Sequence, residues 1–244
     1  MQKNSTMIRS FLSFIAILLT LSTFVTSSFA IAEEVPMDAA DWEKVKTEGD
    51  ITIYTRPHPN SSFKAFKAVA IINAPLNNLM AVMANPKSCV EWVLGCTKSM
   101  AFEEVSFNDR YAYSVNDMPW PFKDRDYVLH IRTSNDTKSG EILMHMNATD
   151  NKKEVDDQFE RVRVAQTVYT FEALDDNKTK MIWLQHTESG GILPGWLVNA
   201  LIIDIPIKSL QSLEQVAQLP KYQDATILFD QAGNITGVDS KLTR

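Results

Sequence analysis

The feature that most constrains this fold is a run of β-strand signals that fills residues 97–187 with no helical pattern between them. Segments of β-branched and aromatic residues are separated there by turn-type clusters such as Asn135-Asp136 and Asp175-Asp176-Asn177. The predicted strands are residues 98–106, 109–116, 126–134, 140–148, 161–174 and 179–188, after two earlier ones at 51–54 and 63–72. About eight strands in near succession predict a large antiparallel sheet.

One long amphipathic helix is predicted after the strands, at residues 193–219. At about 100° per residue, its apolar side carries Val198, Ile202, Ile203, Pro206, Leu210, Leu213 and Ala217. Its polar side carries Asp204, Lys208, Gln211, Ser212 and Gln215. A curved sheet cannot bury its concave face on itself, so we expect this helix to cover that face. The predicted class is therefore α+β, a helix gripped by a curved sheet, and such an arrangement often leaves a cavity for a small apolar ligand.

Shorter elements are predicted outside this frame. Residues 37–48 have the pattern of a short amphipathic helix, with Trp42 and Val45 on one face. Residues 75–83 predict a second helix, with Asn73 as a candidate cap. The tail at 226–238 is expected either to form a small hairpin or to stay loose.

The first 32 residues resemble a secretory signal peptide. Lys3 and Arg9 precede an apolar stretch at 11–25, and Ala30-Ile31-Ala32 supplies the small-x-small pattern that signal peptidase accepts. The alternative is an uncleaved anchor, because the uncharged stretch at 11–32 is long enough to span a bilayer. We predict cleavage and export to the periplasm or to the outside of the cell.

Net charge argues against a nucleic-acid partner. The whole chain carries −6, and loss of Lys3 and Arg9 with the signal peptide would make the remainder −8. Such a chain lacks the excess of positive charge that binds nucleic acids and anionic membrane surfaces. The expected partners are a hydrophobic ligand and, transiently, a membrane, with the protein itself a monomer.

Cys89 and Cys96 are the two cysteines of the chain. In an oxidising compartment such a pair suggests a disulfide. On one unbroken helix their Cα atoms would be roughly 10 Å apart, beyond the limit of about 7 Å for a bridge. The bond therefore requires a helix break, for which Gly95 is available, and the alternative is two buried free thiols.

Three motifs resemble the StAR-related lipid-transfer (START) domain. They are Glu91-Trp92-Val93, residues 120–127 (WPFKDRDY) and residues 191–199 (GILPGWLVN), and the resemblance spans residues 36–220. It implies a helix-grip fold that encloses a tunnel for one sterol, phospholipid or other hydrophobic molecule. The predicted organisation is a signal peptide (1–32), a START-like domain (36–220) and a tail (221–244). Most well-known members are intracellular, so the signal peptide departs from the pattern.

Candidate ligand-binding residues follow from the apolar helix face and from the strand patterns. The predicted walls are Val198, Ile202, Ile203, Leu210, Trp196, Met144 and Met146. The two methionines are included because Met side chains adapt their shape to apolar ligands. His130 or Arg132 is expected to orient the polar end of the ligand. Arg125 and Asp126 have two interpretations, a ligand contact or hydrogen bonds that fix a local turn, and the second is favoured.

The expected function is non-enzymatic binding, and possibly transfer, of a lipid. Catalytic and nucleotide-binding fingerprints are missing, and His58, His130, His145 and His186 are scattered, so no cofactor or metal is predicted. One alternative is an enzyme resembling the polyketide cyclases and hydrolases that share this fold. Another is a protein-interaction module.

Overall fold

A ten-stranded sheet dominates the computed structural model, which describes residues 39–59, 61–191 and 193–242. Its strands are β1 (Glu43–Glu48), β2 (Ile51–Arg56), β3 (Ala65–Ile72), β4 (Cys96–Ser106), β5 (Asp109–Asn116), β6 (Arg125–Asn135), β7 (Ile142–Ala148), β8 (Glu160–Arg161), β9 (Val164–Asp175) and β10 (Lys178–Glu188). The spatial order is β1-β2-β3-β10-β9-β7-β6-β5-β4, and β8 pairs in parallel with β6. Every other neighbour is antiparallel, so the sheet predicted from the sequence is confirmed.

Three helices and a terminal hairpin complete the fold. They are α1 (Leu76–Ala84), α2 (Cys89–Trp92), α3 (Gly195–Val216) and the hairpin of β11 (Thr226–Phe229) and β12 (Ile235–Asp239). The long predicted helix is confirmed as α3, and the tail forms the hairpin instead of staying loose. In the described ranges, no helix has the length and apolar character needed to cross a membrane.

The helix predicted over residues 37–48 is wrong where the structure describes that segment. Residues 43–48 form edge strand β1, which pairs with β2. A helix this short gains little from its own hydrogen bonds, whereas pairing with β2 satisfies its backbone. Trp42 packs instead against a small cluster that contains Ala65 and Leu184, and its supposed helical neighbour Val45 is exposed.

The main core lies between the concave face of the sheet, α1 and the second half of α3. Ile207, Leu210 and Leu213 of α3 belong to the same buried cluster as Leu79 of α1 and Met181 of β10. Because successive strand residues point to opposite faces, one set of alternate positions supplies this core.

The opposite, outer face carries a smaller buried layer over β5 and β6. Tyr113, Val115 and Val128 pack there, with Phe159 against them. Beneath the same segment, Arg161 and Asp126 form a fully buried ion pair, with nitrogen–oxygen distances of 2.8 and 3.0 Å.

Candidate ligand cavity

Two adjoining cavities lie on the concave side of the sheet. The first chamber, of about 160 Å³, is roofed by the first half of α3 through Val198, Leu201, Ile202 and Ile205. The second chamber, of about 140 Å³, lies towards α1, α2 and β4. Six residues line both: Cys89, Val93, Ser114, Leu129, Met146 and Tyr169. The two chambers therefore adjoin each other at these six side chains.

Strand alternation explains which side chains form the floor. Met144 and Met146 of β7 lie one strand away from Tyr169 and Thr167 of β9, with which they are in register. Trp183 of β10 is in turn the register partner of Tyr169. Trp92, Tyr169 and Trp183 form an edge-to-face aromatic cluster with centroid separations between 5.3 and 6.0 Å.

Polar side chains are concentrated in the first chamber. Trp183 donates a hydrogen bond from Nε1 to Oε1 of Gln185, whose Nε2 donates to Oγ1 of Thr187, both at 2.9 Å. Asn116 and Tyr127 line the same chamber from β5 and β6.

Two tyrosines of the cavity are held as neutral phenols. Burial raises the pKa of Tyr127 to about 12, and burial raises the pKa of Tyr169 well above its usual range. Within the described residues, neither hydroxyl makes a hydrogen bond to another protein group. Each phenol can therefore donate to, or accept from, a bound molecule at neutral pH.

The charges at the cavity are both positive. Lys64 lines the first chamber and Arg110 the second. Arg110 donates to the backbone oxygens of Phe107 and Met83 and to Oγ1 of Thr133. No carboxylate or imidazole of the described chain lines either chamber, and none of its acidic, Cys or His side chains cluster as a metal site would need.

Some of the predicted apolar wall residues line a chamber in the structure, and others do not. Val198, Ile202 and Met146 line the first chamber, and Met144 and Met146 line the second. Leu210 is buried in the main core, Ile203 packs against that core, and Trp196 is 64% exposed, so these three do not line a chamber.

His130 and Arg132 belong to the outer surface instead of the cavity. Leu129 and Ile131 of β6 line the chambers, so their even-numbered neighbours point to the other face. Nε2 of His130 lies 2.7 Å from Oδ1 of Asp109, and its ring stacks on Tyr111 at 4.5 Å. Arg132 is exposed. The polar side chains that do line the first chamber are ones that the sequence did not single out, chiefly Tyr127, Thr167 and Gln185.

Arg125 and Asp126 serve the structure, as the favoured interpretation predicted. The guanidinium of Arg125 is 4% exposed and donates to the carbonyl oxygens of Ser189 and Gly190, both at 3.1 Å, and to that of Lys123. Asp126 pairs with Arg161 on the outer side. Arg125 thereby fastens the turn before α3 to the loop before β6.

Cys89 and Cys96 form a disulfide in the structure, with Cα atoms 5.9 Å apart. The required helix break is present, since α2 ends at Trp92 and Gly95 has a φ of +82°. A Cβ atom at Gly95 would also lie 2.8 Å from Oδ1 of Asp117. Both the positive φ and this close approach therefore favour glycine at the position. Because Cys89 lines both chambers, the disulfide is part of the cavity wall.

Parts of the chain are similar to known protein sequences. A sequence model of the START domain matches residues 29–221. An uncharacterized protein of Pseudomonas aeruginosa is 28% identical over 182 residues, which cover 74% of this chain and 88% of that protein.

Solved structures share the fold at low sequence identity. A STAR-related lipid transfer protein from Xanthomonas axonopodis superposes with a TM-score of 0.66 and 21% identity, covering 73% of this chain and 99% of that one. Human StAR-related lipid transfer protein 5 gives a TM-score of 0.68 and 15% identity, covering 75% and 88%. At these identities the structural likeness establishes the fold alone, which is the helix-grip fold.

Proposed function

This chain belongs to the START domain family, and on that premise we propose that it carries or senses one lipid-like molecule without transforming it. The observation that supports this most is the two-chambered cavity between the first half of α3 and the concave face of the sheet. Concave sites with mostly apolar walls and a few polar groups are those that small hydrophobic ligands occupy.

The composition of the walls supports binding over catalysis. Acid–base chemistry needs a group that exchanges a proton near neutral pH, most often His, Asp or Glu. The described walls offer phenols whose pKa values are raised, amides, hydroxyls, one lysine and one arginine that is already engaged with backbone oxygens. These groups suit recognition of a polar ligand end.

The proposed location is the periplasm or the outside of the cell, because residues 1–32 have the pattern of a signal peptide. The disulfide fits an oxidising compartment. An immunoblot of periplasmic, cytoplasmic and membrane fractions tests this, and a chain of full length in the membrane fraction would favour the uncleaved anchor.

Exchange with a bilayer is proposed to involve the segments that flank the turn before α3. Trp120 is 92% exposed and Trp196 is 64% exposed, and Arg125 connects the segments that carry them. Trp side chains favour the membrane–water interface. Trp120→Ala and Trp196→Ala should slow lipid exchange with vesicles while leaving bound lipid in place, and unchanged rates in the double variant would argue against this route.

The binding proposal is tested by organic extraction of the purified mature chain followed by mass spectrometry. A stoichiometric hydrophobic molecule that is missing from a matched control is the expected result. Ile202→Trp, which places an indole in the first chamber, is that control, because the variant should purify folded but empty. Absence of any lipid in the wild type, together with failure to take up lipid from vesicles, would contradict the proposal.

A further inference from the structure

The two chambers differ in polarity, which constrains the ligand. Residues that line only the first chamber include Asn116, Tyr127, Thr167, Gln185 and Thr187. Residues that line only the second are mostly apolar, among them Met83, Trp92, Ile131 and Met144. Its polar members are Asn85, Ser88, Ser99, Arg110 and Tyr111. A molecule that spans both would have its polar end in the first chamber and its apolar end in the second.

Unused hydroxyls mark where that polar end would lie. Tyr169 is 6% exposed and Thr167 is 8% exposed, and neither side chain hydrogen-bonds within the described part of the chain. Neither hydroxyl oxygen is among the enclosed polar atoms of the described chain that lack a partner, and both residues line the first chamber, so each hydroxyl is open to a hydrogen bond with a bound molecule. A ligand group that both donates and accepts hydrogen bonds would satisfy the two together, since Thr167 and Tyr169 are two residues apart on one face of β9.

Charge limits the chemistry of the polar end. A primary ammonium head is best matched by a carboxylate, and none of the described carboxylates lines either chamber. A quaternary ammonium head can be held by aromatic faces, but at the first chamber it would meet the like charge of Lys64. The cation at the first chamber is Lys64, which is exposed and makes no ion pair or hydrogen bond with the described residues. An uncharged or singly anionic head is therefore compatible with this site, whereas a cationic or zwitterionic head is not matched.

Size limits the apolar part. Neither chamber, at about 160 and 140 Å³, reaches the roughly 300 Å³ at which pockets for drug-sized ligands begin. Taken together, the two chambers have about the volume at which such pockets begin. This space suits one acyl or isoprenoid chain, or a compact ring system, better than the two chains of a phospholipid.

We propose that the ligand is a single-tailed amphiphile with an uncharged hydroxyl or a carboxylate head, held with that head beside Thr167 and Tyr169 and its tail in the second chamber. This inference rests on the proposed function and specifies its ligand class. The unpartnered hydroxyls of Thr167 and Tyr169 favour a hydroxyl head. Lys64 at the same chamber can pair with a carboxylate head.

The test compares four probes that share one chain length: dodecanol, dodecane, dodecyltrimethylammonium and didodecanoyl phosphatidylcholine. Affinities for the lipid-depleted mature chain follow from the change in tryptophan fluorescence on titration, since Trp92 and Trp183 line the chambers. Dodecanol should bind at least about tenfold more tightly than dodecane and than the two probes with a cationic group. Preference for either cationic-headed probe would overturn the proposed class, and equal affinity for dodecane would overturn the role of the hydroxyls.

Matched variants test the placement of the head. Tyr169→Phe and Thr167→Val remove one hydroxyl each with little change of shape, and each should weaken dodecanol about three- to tenfold while leaving dodecane unchanged. Tyr54→Phe on β2, which lines neither chamber, is the control and should change neither affinity. Ser88→Ala, which borders only the second chamber, tests the opposite orientation. A loss in Ser88→Ala without one in Thr167→Val would reverse the proposed orientation.

The outcomes separate this inference from the proposed function. If the phospholipid binds and dodecanol does not, the chain is still a lipid binder and only the ligand class is refuted. If no probe binds and no lipid is extracted from the native protein, the proposed function itself fails.

Discussion

The two halves of α3 share one helix but have different surroundings. In residues 195–205 Leu197 is the one buried side chain, and within the described residues none of the side chains in this half makes a hydrogen bond. From Pro206 onwards, Ile207, Ser209, Leu210, Leu213 and Val216 are all buried. Pro206, which cannot donate a backbone hydrogen bond, marks the boundary.

The second half is also held by polar contacts. Ser209 accepts a hydrogen bond from the backbone nitrogen of Leu94 at 2.9 Å, and Glu214 accepts one from that of Asn73 at 2.8 Å. The comparison shows that one half anchors the helix to the core while the other half roofs a cavity. An amphipathic helix can therefore serve stability and binding at once, provided that empty space lies under one half only.

The largest expected effect distinguishes the halves by a matched substitution. Leu213 is fully buried, so Leu213→Ala should lower the free energy of unfolding by about 2–5 kcal/mol. Leu201 already borders the first chamber, so Leu201→Ala should cost less than about 1 kcal/mol. Urea denaturation of both variants measures the difference, and equal losses would show that the first half is packed as tightly as the second.

The disulfide should contribute the next largest effect, on the anchored side. It holds α2, which precedes the Leu94 contact to the second half of α3. Closing so short a loop stabilises the chain by about 2–3 kcal/mol on the chain-entropy estimate. The double variant Cys89→Ala/Cys96→Ala should lose that amount in denaturation experiments. Reductant should destabilise the wild type equally and leave the variant unaffected, and a wild type that is insensitive to reductant would contradict the prediction.

Filling the first chamber should abolish binding with little effect on stability. Val198→Trp and Ile202→Trp place an indole in space that the ligand needs, so the free energy of unfolding should change by less than about 1 kcal/mol. Leu213→Trp is the control in the anchored half, where overpacking should cost about 1–3 kcal/mol. Retained lipid together with a steep fall in melting temperature at positions 198 and 202 would mean that these positions are solid core.

The smallest expected effect is a pH dependence beside the first chamber. His186, 2% exposed on β10, stacks on His58 with ring centroids 3.6 Å apart. Burial and the neighbouring His58 lower the pKa of His186, against a smaller opposing effect of Glu188. His58 belongs to the segment between β2 and β3 that supplies Phe63 and Lys64 to the chamber wall.

The sign follows from proton uptake. With the folded pKa below the ordinary 6.5, the unfolded chain binds the proton first as the pH falls. Stability should therefore decrease below about pH 6.5 and level off once the pH is under the folded value. Melting temperatures from about pH 7.5 to about pH 5 measure this, and His58→Phe, which keeps a ring but removes a charge, should flatten the curve. An unchanged slope would assign the dependence to other groups.

Much of the fold could be predicted because its elements are long and strongly patterned. The alternation in residues 126–134 and 179–188 and the apolar stripe of α3 give strong periodic signals, and the observed elements match them. Residues 43–48 failed because a six-residue segment has no decisive period, and pairing with β2 determined its state.

The candidate site was less accessible to sequence reasoning. Val198 and Ile202 could be named because a stripe on a helix defines its buried side. His130 and Arg132 were placed on the wrong face for a ligand contact, since alternation groups residues of β6 into two sets without saying which set is concave. No sequence motif marks Tyr127 or Thr167 as a ligand contact. Their place at the chamber follows from how β5 pairs with β6 and β9 with β10.

The sequence alone determined the large antiparallel sheet and the long final helix, because both follow from local periodicity. For Cys89 and Cys96 it left a disulfide and two free thiols open, and the structure joins them with their Cα atoms 5.9 Å apart. Tertiary structure decided that α3 covers empty space before Pro206 and solid core after it. It also decided that Tyr169 faces the cavity with an unpartnered hydroxyl, while Tyr113 is buried in the outer layer over β5 and β6. The physical reason is that packing and hydrogen-bond satisfaction depend on which distant residues meet, and local pattern does not contain that information.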